Sequence, residues 1–130
     1  ASVFTLGDHN ATFGGNPVTS AAAYATLKYV LDNNIVGNTG KVGQYLMDGL
    51  KTLQGKHPII TEVRGRGLLL AVEFNTEIAQ DVLMNCLGNG LLVNRLKPNA
   101  IRMVPPLVIG NNEVDEALNI LDKALASVAV

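Results

Sequence analysis

The spacing of apolar positions changes several times along the chain, and each change marks a new element. Asn16-Pro17 opens the first helix, with a capping side chain followed by proline at the first helical position. From there to Asp32, Val18, Ala22, Ala25 and Tyr29 fall on one stripe and Tyr24, Leu27 and Leu31 on another, so this helix is expected to make contacts on more than one side. A second helix is predicted from Asn38-Thr39, with Val42, Tyr45, Leu46, Leu50 and Leu53 at helical spacing and Gly55 as its stop.

The period then shortens. Residues 59–64 alternate, Gly65-Arg66-Gly67 interrupts, and Leu68 to Phe74 reads as a buried strand, so the two runs form an antiparallel pair with a glycine-assisted bend. Thr76 is expected to cap a third helix with Ile78, Val82, Leu83 and Leu87 facing inward, ended by Gly88-Asn89-Gly90. Leu91-Leu92-Val93 and residues 100–104 predict two further strands around a Lys97-Pro98-Asn99 turn, with Pro105-Pro106 as the stop. Asn111 or Asn112 caps the last helix, where Val114, Ala117, Leu118, Leu121, Leu125 and Val128 make one apolar stripe. The succession predicts an α+β fold: a small, mainly antiparallel sheet covered by helices on one face. Residues 2–6 read as a short strand with no partner nearby, followed by a polar, glycine-rich loop, so this stretch is expected to pair with a sheet that lies mostly elsewhere.

Composition narrows the function classes. With 130 residues, 48% hydrophobic and 16% charged, the chain has enough apolar material for one folded core and too little length for two. A formal net charge of −1 with mixed signs gives no footprint for nucleic acid or an anionic membrane. No run is long and apolar enough to span a bilayer and no secretory leader is visible, which makes the cytoplasm the expected location. Cys86 is the single cysteine, lies in an apolar run, and is expected to be a buried inert thiol. His9 and His57 are far apart and outside any ligand-spaced cluster, so surface histidines are expected and no metal site is.

Two places can carry chemistry. In Ala11-Thr12-Phe13-Gly14-Gly15-Asn16-Pro17, backbone N–H groups at a helix start, a glycine pair and a threonine hydroxyl suit an anion, and they suit an ordinary capped loop equally well. Arg102 is a lone guanidinium in an apolar strand. Such a group either grips a carboxylate with two parallel hydrogen bonds or lies over the solvent face of the sheet. Arg64 and Arg66, flanking a glycine, are expected to be structural. The lysines (Lys28, Lys41, Lys51, Lys56, Lys97 and Lys123) all read as polar-face or turn residues, without the desolvated pocket that a cofactor-bearing lysine needs.

The run Gly7-Asp8-His9-Asn10-Ala11-Thr12-Phe13-Gly14-Gly15-Asn16-Pro17 closely resembles the GDHxxTFGGNP segment of class III aminotransferases, above all those of the acetylornithine type. Val63-Arg64-Gly65-Arg66-Gly67-Leu68 with Val72-Glu73 resembles that family's VRGxGL…E hairpin. Leu91-Leu92-Val93-Asn94 and Ile101-Arg102-Met103-Val104-Pro105-Pro106-Leu107 resemble its closing strands, in collinear order. The resemblance implies a fold-type I, pyridoxal 5'-phosphate-dependent enzyme that works as a homodimer with active sites at the subunit interface. It implies that the cofactor-bearing lysine, the aspartate facing the pyridine nitrogen and most of the phosphate cup precede Ala1, so that no catalytic residue lies in this chain. Residues 1–15 would be the tail of the large cofactor-binding domain, 16–34 a linking helix and 35–130 the C-terminal small domain. Thr12 then matches a threonine that contacts the cofactor phosphate of the neighbouring subunit, and Arg102 matches an arginine near the substrate carboxylate. Ala11 falls where the family contacts substrate and usually has serine or threonine. The implied reaction moves an amino group from N-acetylornithine to 2-oxoglutarate, a step of arginine biosynthesis, with ornithine, succinylornithine or another ω-amino donor left open by Ala11. The contrasting reading is a free-standing α+β binding module without catalysis, in which residues 1–15 pack on their own domain.

Overall fold

A computed structural model describes residues 3, 5 and 12–128. The chain divides into two compact units, 1–34 and 35–130. The strand expected at residues 2–6 lies mostly outside the described residues; Val3 is in a turn and Thr5 in no regular element.

In the first unit, helix α1 (Pro17–Asp32) begins where Asn16-Pro17 predicts. Asn16 Oδ1 accepts from the N–H groups of Val18 and Thr19, both at 3.1 Å, and Asn16 Nδ2 donates to the Phe13 carbonyl at 2.7 Å. None of its residues is buried: Val18, Tyr24, Leu27, Tyr29 and Leu31 are all exposed, so the apolar stripes read from the sequence are present without cover.

The second unit contains α2 (Ile35–Lys56), β1 (Ile60–Arg66), β2 (Leu69–Phe74), α3 (Ala79–Gly88), β3 (Asn94–Lys97), β4 (Ala100–Met103) and α4 (Asn111–Val128). The four strands form one antiparallel sheet in the order β1-β2-β4-β3. Helix α2 lies over β1 and β2, α3 over β3 and β4, and α4 packs against both helices. Leu70, Val72 and Phe74 of β2 and Ile101 and Met103 of β4 point into the core, where they meet Leu46, Leu50, Val82, Leu121 and Leu125. The alternation of buried and open positions along β2 leaves the opposite face uncovered, as an antiparallel sheet permits. No described helix is long and apolar enough to cross a membrane.

Several boundaries differ from the sequence expectation, each for a local reason. Helix α2 starts at Ile35, before Asn38, because Asn38 does not cap it: its Nδ2 donates to the carbonyls of Leu107 (2.9 Å) and Ile109 (3.1 Å) and ties α2 to the segment before α4. Thr76 does not cap α3, whose N-cap position is Ile78 with no side-chain bond; the N–H of Ala79 is satisfied by the Pro98 carbonyl at 3.0 Å instead. This later start turns Ala79, Val82 and Cys86 inward and leaves Leu87 exposed. Asn111 and Asn112 lie inside α4, and Glu113 Oε2 accepts from the N–H of Gly110 at 2.9 Å in the manner of a capping box. Leu91, Leu92 and Val93 are not in a strand. Their partner is β4, which ends at Met103 ahead of Pro105-Pro106, so the ladder begins only at Asn94 opposite Arg102.

The β1–β2 turn is held by a close approach. Gly67, at the first of two turn positions, has φ +56°, the sign that a two-residue hairpin demands there. A Cβ on Gly43 of α2 would lie 2.4 Å from the carbonyl carbon and oxygen of Gly67, which are backbone and cannot swing aside. Gly43→Ala is therefore expected to destabilise the chain by about 1–3 kcal/mol in urea unfolding, because overpacking outweighs the roughly 1 kcal/mol gain in helix propensity. Gly49→Ala meets only the Leu118 side chain, Cδ1 at 2.2 Å with Cδ2 and Cγ at 3.2 and 3.3 Å, which can rotate away as backbone cannot, and is expected to fall closer to neutral. Equal losses at the two glycines would contradict this account.

Candidate functional site

The open face of the sheet is the best-furnished surface in the second unit. Register places Ala71 of β2 directly between Arg64 of β1 and Arg102 of β4, with Asn94 of β3 beyond Arg102. In the neighbouring row Glu73 stands between Glu62 and Ala100. Arg64, Arg66, Leu69, Ala71, Leu96 and Arg102 line a shallow depression of about 460 Å³ on this face.

The two arginines flanking Ala71 are in opposite states. Arg64 Nη1 donates to Glu62 Oε2 at 2.6 Å and to Glu73 Oε2 at 2.7 Å, which agrees with the structural role expected of it. The hydrogen bond from Arg64 lowers the Glu73 pKa, against an opposing effect of desolvation, and Lys97 and Asn99 lower it further. Arg102 is exposed and has no ion pair or side-chain hydrogen bond with any described residue. Arg102 lines the depression, and its guanidinium carries five N–H donors in a fixed planar fork.

In the first unit, Ala11 lies outside the described residues. Thr12 is exposed, in a bend, and its hydroxyl has no partner among the described residues. The helix start beside it is less open to an anion than the sequence allowed. Pro17 has no N–H, and the next two N–H groups are already taken by Asn16. A ligand oxygen can still meet the Thr12 hydroxyl and the loop's own backbone N–H groups, in the space at Gly15, where a Cβ would meet nothing within 4 Å.

Residues 1–125 match the family model described as Aminotransferase class-III. The chain belongs to this family. Among curated relatives, it is 42% identical over 127 residues to an acetylornithine aminotransferase of Caldanaerobacter subterraneus subsp. tengcongensis, covering 98% of this chain and 32% of that protein. It is 45% identical over 121 residues to the acetylornithine aminotransferase of Bifidobacterium longum, covering 93% and 28%. Among solved structures, the ornithine aminotransferase of Toxoplasma gondii ME49 superposes with a TM-score of 0.86 at 35% identity, covering 98% of this chain and 31% of that one. The chain thus spans about a third of the length of the relatives it matches. The α+β fold expected from the pattern is the one observed, and it is shared with fold-type I aminotransferases. A free-standing binding module is not favoured.

The remaining chemistry-bearing groups of this class-III aminotransferase chain serve the fold. All the lysines are exposed, as expected. Cys86 is fully buried, as predicted, and desolvation pushes its thiol up to about 11, which disfavours the reactive thiolate. His57, expected at the surface, is buried instead. Its Nε2 donates to Asp122 Oδ1 at 2.5 Å while Lys56 Nζ donates to Asp122 Oδ2 at 2.5 Å, which joins the end of α2 to α4 and holds the Asp122 carboxyl below its ordinary pKa. Among the described residues no group of His, Cys, Asp and Glu is placed to hold a metal. A second cleft, about 330 Å³, is bordered by Leu46, Leu92, Met103, Val104, Pro105 and Ile109, and its one charged neighbour, Glu113, is occupied in capping α4.

Sequence reasoning missed Glu62 and Glu73, which hold Arg64 on the open face, and Asn99, whose Nδ2 lies 3.5 Å from Glu73 Oε1. The signal was available in the hairpin: with Gly67 as the turn, Glu62, Arg64 and Glu73 fall on one face.

Proposed function

We propose that this chain is the C-terminal part of a pyridoxal-phosphate-dependent aminotransferase that moves an amino group from N-acetylornithine, or a related ω-amino donor such as ornithine, to 2-oxoglutarate. The observation that carries the reading is an exposed guanidinium, Arg102, without a partner among the described residues, on the open sheet face of a class-III aminotransferase chain. Arg102 binds a substrate carboxylate through two parallel N–H···O bonds, which fixes the direction of the substrate and hence the position of its reacting end. Relatives named for acetylornithine and for ornithine support an ω-amino donor, and the choice between them is left to the assay below.

The residues present fit a limited share of the cofactor. No described lysine is enclosed, in keeping with the family resemblance, which puts the covalent anchor outside this chain, while the Thr12 hydroxyl, without a partner among the described residues, suits one oxygen of its phosphate. When bound, the cofactor supplies the carbonyl group that takes up the amino group and passes it on. Thr12 donates a hydrogen bond to the phosphate, across the interface of a homodimer, and Ala11 borders the substrate with backbone groups alone. On this reading residues 1–15 end the large domain, 16–34 link, and 35–130 form the small domain, a division consistent with the compact unit that starts at Ile35.

The test is an assay of the purified full-length protein with N-acetylornithine, ornithine and succinylornithine as donors and 2-oxoglutarate as acceptor, following glutamate. Formation of glutamate with at least one donor is expected. A folded, cofactor-loaded protein that forms none from any of the three would defeat the proposal.

A further inference from the structure

Register brings one row of side chains together on the open face: Arg64, Ala71, Arg102 and, on the edge strand β3, Asn94. The face on which Asn94 lies is fixed by its neighbour. Arg95 is in register with Ile101, which is fully buried, and Arg95 Nη1 donates to Gln80 Oε1 of α3 at 3.4 Å, so Arg95 belongs to the covered face. Side chains alternate along a strand, and Asn94, in register with Arg102, therefore shares the open face with it. Leu96 of the same strand lines the depression together with Arg102. Residues directly opposite each other on an antiparallel pair have their Cβ atoms about 4.5–5.5 Å apart, close enough for both side chains to meet one ligand. Asn94 is exposed, and its amide bonds no described residue. On the other side of Arg102, Ala71 offers only a methyl group, so Asn94 is the one polar side chain directly opposite Arg102 in its two ladders.

We propose that Asn94 is a further substrate-binding residue, whose Nδ2 donates to the same carboxylate that the Arg102 guanidinium grips. The proposal rests on the reading of Arg102 under the proposed function. An ionised carboxylate offers about four lone-pair sites, and a guanidinium fork occupies two of them. The amide beside the fork fills a third and limits how far the carboxylate can turn on the arginine. Being neutral, it adds this bond without drawing the carboxylate away from the guanidinium, as a second cation there would.

The experiment measures the affinity of the full-length holoprotein for glutarate, a dicarboxylate without a reactive carbonyl, by titration calorimetry, beside the KM for 2-oxoglutarate. Asn94→Ala is expected to weaken glutarate binding and raise KM by about three- to tenfold, with kcat within about twofold, as one donor to a charged acceptor is lost and water replaces part of it. Asn94→Asp is expected to weaken both by about tenfold or more, because it sets a like charge against the substrate beside the arginine. The melting temperature of Asn94→Ala is expected to stay close to wild type, since the exposed amide leaves no described partner behind. In an Arg102→Lys background the effect of Asn94→Ala is expected to shrink, because the carboxylate is no longer held against the amide. An edge-strand asparagine with a purely structural role would lower melting temperature and leave both affinities unchanged. Unchanged glutarate affinity and KM in Asn94→Ala, or an undiminished effect in the Arg102→Lys background, overturns the proposal. If Arg102→Lys weakens glutarate binding and Asn94→Ala does not, only the role of Asn94 falls. If Arg102→Lys leaves that affinity unchanged, the reading of Arg102 falls and takes this proposal with it. If both substitutions weaken glutarate binding but no donor yields glutamate, the binding role stands and the proposed reaction alone falls.

Discussion

In the full-length protein, Arg102→Lys is expected to lower kcat/KM for carboxylate substrates by about ten- to hundredfold, with little change in melting temperature. Lysine keeps the positive charge and most of the aliphatic stem, so packing along β4 is preserved. What it loses is the planar fork that gives two parallel hydrogen bonds to one carboxylate. Because Arg102 is exposed and bonded to no described side chain, its removal orphans no buried partner, and folding has little to lose. The substitution therefore separates binding from stability. Unchanged kinetics with a clear drop in melting temperature would make Arg102 a structural residue and leave the open sheet face without its proposed task.

The fold was legible where apolar spacing alone decides the outcome. The β1–β2 hairpin, β4 with its double-proline stop, and the apolar stripe of α4 all follow from residues whose burial is forced by period. It was less legible where polar side chains chose between local and distant partners. Asn38 and Thr76 both look like caps, since short polar side chains favour the ends of helices. In the folded chain Asn38 is used sixty-nine or more residues away, on Leu107 and Ile109, and Pro98 supplies the acceptor that Thr76 was expected to provide. His57 follows the same logic: nothing in the sequence around it announces Asp122, 65 residues distant, which makes burial tolerable. Leu91, Leu92 and Val93 show the reverse case, in which strand propensity is present but the partner strand has ended.

The candidate site was legible in part. Arg102 stands out in the sequence because a guanidinium in an apolar strand needs a reason to be there. The state of that guanidinium could not be read, because the sequence does not announce that Glu62 and Glu73 both bond Arg64 while no described side chain bonds Arg102. The loop at Thr12 was legible as a capped helix start, and the structure assigns the N–H groups there to Asn16. Its cofactor role came from the family resemblance and from no property of the loop itself, which makes it the reading most in need of a geometric test.

Thr12→Ala in the full-length protein is expected to weaken pyridoxal phosphate binding by roughly ten- to hundredfold, the effect of losing one hydrogen bond to a charged acceptor with water replacing part of it. The N–H groups of Val18 and Thr19 are already engaged by Asn16, so the hydroxyl is the one side-chain donor that Thr12 brings to this loop. The proposed reach across a homodimer interface can be tested separately with a heterodimer, one subunit carrying Thr12→Ala and the other lacking the cofactor-bearing lysine. If the hydroxyl crosses the interface, the site with the intact lysine receives the intact Thr12 of the other subunit and binds cofactor normally, while the second site has neither. If the contact stays within a subunit, every lysine-bearing site also lacks the hydroxyl and none is restored. Cofactor titration and activity of the purified heterodimer distinguish these arrangements. Weak binding at the lysine-bearing site would sink the cross-subunit contact, and normal affinity in the Thr12→Ala homodimer would remove Thr12 from the cofactor site altogether.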